Sequence, residues 1–116
     1  MKTGIGFLVA LSVHLLFGWP FSLAGGAATG YLVGGRAWLW GGLAVSLAWA
    51  VLVGYNFLAA PAATGEMVRV MAEILGNMPR ALFVVLSLLI GALLGALGGQ
   101  IGFAVARLTR PPFRRP

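Results

Sequence analysis

The chain has no cysteine, only two carboxylates and a single histidine among 116 residues. Without cysteine there is no disulfide, no thiolate metal site and no thiol nucleophile. One histidine and two acids, Glu66 and Glu73, supply neither a metal-ligand cluster nor a nucleophile–base set. None of the 18 glycines follows a strand, so no phosphate-cradling loop is expected. These absences argue against an enzyme. Charge is scarce overall: 9% of residues are Asp, Glu, Lys or Arg, against roughly 25% in soluble domains.

Apolar residues take that place, at 60% of the chain with a mean hydropathy of +0.99. Too few polar side chains remain to cover a water-exposed surface. The expected solvent is lipid, where every backbone polar group must be paired within the protein. Long apolar runs, rather than short alternating ones, select helices over a barrel. Eight Lys/Arg give a formal charge of +6, which invites a nucleic-acid reading. These residues instead flank the apolar segments, as membrane orientation signals do, and no nucleic-acid partner is expected.

Residues 4–35 carry no formal charge unless His14 is protonated. As one helix they would extend about 46 Å, well beyond a hydrocarbon core of about 30 Å. Gly18-Trp19-Pro20 interrupts them, because proline removes a helix hydrogen bond and tryptophan favours the interface. Two short spans, about 4–19 and 20–35, are expected, with a kinked or partly re-entrant pair as the alternative. Lys2, the apolar run and Ser22-Leu23-Ala24 also imitate a cleavable signal peptide; the segment is read here as retained. A third span is expected over about 37–60, with Trp38 and Trp40 near one interface and Tyr55 near the other.

Residues 64–80 differ. At 100° per residue, Met67, Val68, Met71, Ile74, Leu75 and Met78 share one side, while Glu66, Arg69, Glu73, Asn77 and Arg80 share the other. This pattern predicts an amphipathic interfacial helix over about 65–78, with Thr64 as N-cap and an Arg69–Glu73 pair. Met67, Met71, Ile74 and Met78 form its lipid- or partner-facing side. A last span is expected over about 81–106, followed by a basic tail, 107–116. The whole chain thus reads as one membrane domain, all-α, with four transmembrane helices and one interfacial helix.

In that arrangement Lys2, Arg36, Arg107, Arg110, Arg114 and Arg115 share one side. The positive-inside rule then places both termini in the cytoplasm of a bacterial inner-membrane protein. The tail's arginines serve as topology anchors and can add affinity for anionic lipid. A weak internal repeat accompanies this: Gly18-Trp19-Pro20-Phe21 ends the first span and Gly54-Tyr55-Asn56-Phe57 the third. Each is followed by a span with a serine–glycine ladder, which suggests two similar hairpins packed side by side.

The ladders are Ser22, Gly26, Gly30, Gly34 and Ser87, Gly91, Gly95, Gly99, with Gly98 and Gly102 beside the second. At four-residue spacing they form lines along which another backbone approaches closely. They are the expected helix-packing residues, whether within one chain or between copies. Polar groups near the spans are His14, Asn56 and Gln100. An intramembrane histidine is a functional candidate, for a proton relay or for holding haem or chlorophyll. The plainer role for all three is an interhelical hydrogen bond. No cofactor is assigned.

Ala10-Leu-Ser-Val-His14 followed by Trp19 resembles, over about ten residues, the small-xxx-His pattern of bacterial light-harvesting polypeptides, which are single-span chains. Gly30-Tyr-Leu-Val-Gly-Gly-Arg36 followed by Trp40-Gly-Gly42 resembles a group of small four-span, glycine-zipper bacterial membrane proteins without an established function. The second resemblance covers about residues 24–46. It implies the four-span architecture and a cytoplasmic Arg36, and transfers no site residues. The function expected is non-enzymatic: an accessory or assembly subunit of a membrane complex, working by helix packing against itself or another membrane protein. A small oligomeric transporter or channel is the competing class, and pigment or haem binding the third.

Overall fold

A computed structural model describes residues 1–110, apart from the side chains at positions 13, 14, 17 and 19. The basic tail beyond Arg110 and the His14 side chain lie outside this description. The described chain is all-helical: α1 (Lys2–Phe17), a 3₁₀ turn (Trp19–Phe21), α2 (Ser22–Val33), α3 (Ala37–Ala59), α4 (Pro61–Ile74) and α5 (Arg80–Thr109).

The four expected spans, the first two of them short, reduce to two. Only α3, with 23 residues, and α5, with 30, are long and apolar enough to cross a membrane. The 16 residues of α1 and 12 of α2 reach only about 24 and 18 Å. The shortfall has a local cause, because the long apolar run is spent on two turns. Gly18 adopts a left-handed φ of 88° before the 3₁₀ turn at Pro20. At the other end Gly34 (φ 80°) and Arg36 (φ 52°) close a tight turn into α3, a conformation that glycine takes without steric cost.

The interfacial segment also shifts. Pro61 occupies the first turn of α4, where its missing N–H costs nothing, so the helix starts before residue 65. Thr64 is therefore inside α4 rather than its N-cap, and its Oγ1 donates to the Asn56 carbonyl at the end of α3 (2.9 Å). The helix stops at Ile74, where Gly76 and Asn77 turn back onto the Glu73 carbonyl (3.1 and 3.2 Å). At the far end α5 continues to Thr109, so Arg107 is helical rather than the first tail residue.

The directions of the helices follow from which residues meet. Gly6 packs on Thr29 and Gly25 on Ala10, so α1 and α2 are antiparallel. Gly26 faces Gly95 and Gly30 faces Gly99, so α2 and α5 are parallel. Gly41 faces Gly95 while Gly99 faces Ala37, so α3 and α5 are antiparallel. The α2–α3 pair lies between α1 and α5, which do not approach each other among the described residues.

Burial runs opposite to that of a water-soluble domain. The interior consists of small groups such as Ala10, Ala37, Ala44, Val45 and Ala48, and the largest fully buried side chains are Val45, Thr29 and Ser22. Large apolar side chains, among them Leu47, Leu58, Leu93 and Leu97, point outward. Where lipid is as apolar as leucine, close backbone approach rather than hydrophobic exclusion holds helices together.

Candidate functional site

The most constrained region is the line where α2, α3 and α5 converge. Gly95 is its centre. A Cβ on Gly26 would lie 2.5 Å from the Gly95 carbonyl oxygen, and one on Gly41 would collide with the same oxygen. One turn along, a Cβ on Gly30 would overlap the Gly99 carbonyl, and one on Gly99 would overlap that of Ala37. Gly98 and Gly102 press in the same way against the Leu23 and Ala27 carbonyls of α2. Backbone meets backbone along about two turns of three helices. Such contact supplies dispersion and Cα–H···O attraction that no side chain could provide there.

Not every residue of the two ladders sits in this seam. Gly34 lies beyond α2, with open space around it, and serves the turn. Gly91 packs instead against the Trp49 indole, at 3.0 Å from where a Cβ would sit. Ser87 donates to the Phe83 carbonyl within its own helix (3.0 Å). Ser22 is buried and accepts a hydrogen bond from Trp49 Nε1 (2.9 Å). This links the start of α2 to the middle of α3. In the same core Thr29 Oγ1 donates to the Gly25 carbonyl (3.0 Å), so its hydroxyl is satisfied while packed on Gly6. Sequence reasoning missed Gly41, Ala37 and the Trp49–Ser22 bond. The Gly41-Gly42 pair inside an apolar span was the available signal for the first two; the bond had none.

Of the polar candidates, the two with described side chains, Asn56 and Gln100, do not converge. Asn56 is exposed near the end of α3, and Gln100 is exposed in the last third of α5. Because α3 and α5 are antiparallel, these residues lie toward opposite ends of the bundle. Asn56 borders a small cleft of about 210 Å³ between α3, α4 and α5, together with Thr64, Ser87 and Trp49. A second, larger groove of about 320 Å³ runs between α3 and α5. Gly42, Ser46, Ala92 and Ala96 line it with small groups, and Trp38 and Leu93 with large ones.

Four basic residues gather at one end, while Arg69 and Arg80 share the other with both acids. Lys2, Arg36, Arg107 and Arg110 all fall where α1 and α3 begin and α2 and α5 finish. Arg110 ties two of these ends together: its Nη2 donates to the Tyr31 carbonyl (2.7 Å) and its guanidinium covers the Tyr31 ring (5.0 Å). Arg107 lies over Phe103 (4.8 Å). At the opposite end both acids belong to α4 and both bind Arg69. Nε of Arg69 donates to Glu66 (2.9 Å) and Nη1 to Glu73 (2.5 Å), with a further Nη2 contact to Glu66. The hydrogen bonds from Arg69 hold the Glu66 carboxyl below its usual range and keep the guanidinium firmly charged. Met67, Met71 and Ile74 are exposed, Met78 is half-buried, and Val68 and Ala72 are the α4 residues turned inward.

Among the described residues no group of three or more His, Cys, Asp or Glu comes together to hold a metal. Comparison with known protein families, curated proteins and solved structures finds no match.

Proposed function

We propose that this chain is a non-enzymatic integral membrane protein, an accessory or assembly subunit that works through its helical surfaces. In this reading α3 and α5 cross the bilayer. The α1–α2 hairpin is embedded beside them without either helix crossing alone, and α4 lies in the interface. The end bearing Lys2, Arg36, Arg107 and Arg110 faces the cytoplasm of a bacterial inner membrane, since it carries the larger share of the described basic residues.

The observation that carries the reading is the packing of Gly26, Gly30, Gly41, Gly95 and Gly99. Their backbones fill the centre of the bundle, while Asn56 and Gln100 stay outside it near opposite ends. Among the described residues no polar path runs along the α2–α3–α5 line. The outward leucines and aromatics are left to meet lipid or a neighbour. The test is the native mass of the complex gently extracted from its own membrane. Co-migration with a larger hetero-complex is expected; a monomer or homo-oligomer alone would overturn the accessory role.

A further inference from the structure

We propose that the groove between α3 and α5 is a binding site for one anionic phospholipid, with an acyl chain in the groove and the headgroup at Arg36. The proposal rests on the membrane reading given above. The groove is open and almost wholly apolar, and its small-residue floor is set by Gly42, Ala92 and Ala96. It runs from Trp38, in the first turn of α3, to Ser46 and Leu89, a length of about 12 Å at 1.5 Å per residue. One end therefore lies at the membrane surface and the other among the chains.

Arg36 stands at that surface end. Its carbonyl accepts hydrogen bonds from Leu39 (3.0 Å) and Trp40 (3.2 Å), which fixes it as the residue on which α3 begins, two positions before the groove-lining Trp38. The Arg36 side chain is exposed and forms no ion pair among the described residues. Neither Glu side chain can supply a partner, because Glu66 and Glu73 are both engaged by Arg69 at the opposite end. Lys2 and Arg107 reinforce the same surface. No Asp or Glu side chain supplies complementary charge at this end, and the apolar groove beneath it suits an anion that carries a chain.

The full-length protein would be reconstituted in phosphatidylcholine vesicles containing brominated phosphatidylglycerol or, at equal mole fraction, brominated phosphatidylcholine. The readout is the part of the tryptophan quenching that disappears in Trp38→Phe. Quenching by the anionic lipid should require about fivefold less lipid, the factor equivalent to the roughly 1 kcal/mol that one basic residue contributes near an anionic surface. Arg36→Gln should abolish the preference. Ser46→Leu, which fills the groove without touching the seam, should reduce quenching by both lipids.

Equal quenching by the two lipids, or a preference that survives Arg36→Gln, would overturn the site. So would a second copy cross-linking across Leu93 with the groove closed to lipid. Failure of the chain to float with the vesicles would overturn the membrane reading and the site together, whereas flotation without preference removes the site alone.

Discussion

The α2–α3–α5 seam and the α4 elbow are stabilised by opposite means. In the seam, polarity is confined to the backbone, and contact is so close that a single methyl group has nowhere to go. On α4 only Val68 and Ala72 are buried, Thr64 holds the end of α3, and an exposed Glu66–Arg69–Glu73 set braces the helix from outside. The first kind of contact is insensitive to salt and pH and intolerant of volume. The second tolerates volume and responds to charge. Exposed ion pairs of this sort contribute little stability, so the elbow is the part of the molecule free to adjust.

The sharpest way to break this contrast is to add volume to the seam. Gly30→Leu should cost about 3 kcal/mol or prevent folding altogether, because the new side chain enters the Gly99 carbonyl. Gly95→Leu should behave likewise and lower the thermal midpoint of the monomer itself. Loss of an oligomer with an unchanged midpoint would show that this line is used between chains.

A smaller effect is expected where α2 and α3 share a side-chain bond. Ser22→Ala and Trp49→Phe should each cost about 0.6–1 kcal/mol, and the double variant little more than either, as residues sharing one interaction do. Fully additive losses in a thermal unfolding cycle would contradict a shared bond.

Glycine outside the seam should behave in the reverse sense. Gly54 lies in α3 with nothing within 4 Å of a Cβ, so Gly54→Ala should raise stability by about 0.5 kcal/mol through the reduced freedom of the unfolded chain. Destabilisation there would mean that Gly54 contacts a neighbour.

The smallest effect belongs to α4 and depends on pH. The carboxyl of Glu66 is held down by Arg69 in the folded chain. Its contribution is therefore fully present above the usual carboxylate range and is lost as pH falls through the depressed folded value. Amide hydrogen exchange should report loosening of α4 at acid pH, while the amides around Gly95 keep their protection. An Arg69→Gln variant should exchange faster in α4 at neutral pH and lose this pH dependence.

Much of this architecture was legible in the chain. Gly18-Trp19-Pro20 marked the break between α1 and α2 because proline and a left-handed glycine act locally. The charge pattern of 64–80 marked α4, although Pro61 and Gly76 moved its ends forward. The four-residue spacing of Gly26, Gly30, Gly95 and Gly99 marked lines able to accept a backbone. What spacing could not convey was length in space. Residues given to the turns at 18–21 and 34–36 cut the second expected span from 16 residues to the 12 of α2, while α1 stays at 16, and neither reaches the width of a bilayer.

The sequence by itself determined the helical class, the apolar composition and the gathering of Lys2, Arg36, Arg107 and Arg110 away from the two acids. Each of these follows from composition and short-range periodicity, which act within a few residues. The tertiary structure alone decided that α2 and α5 run parallel, that Gly41 and Ala37 complete the seam, and that Trp49 reaches Ser22. It also decided that a groove floored by Gly42, Ala92 and Ala96 opens between α3 and α5. These are meetings of residues distant along the chain, and no periodicity encodes them: they are selected by which backbones fit together once every helix has formed.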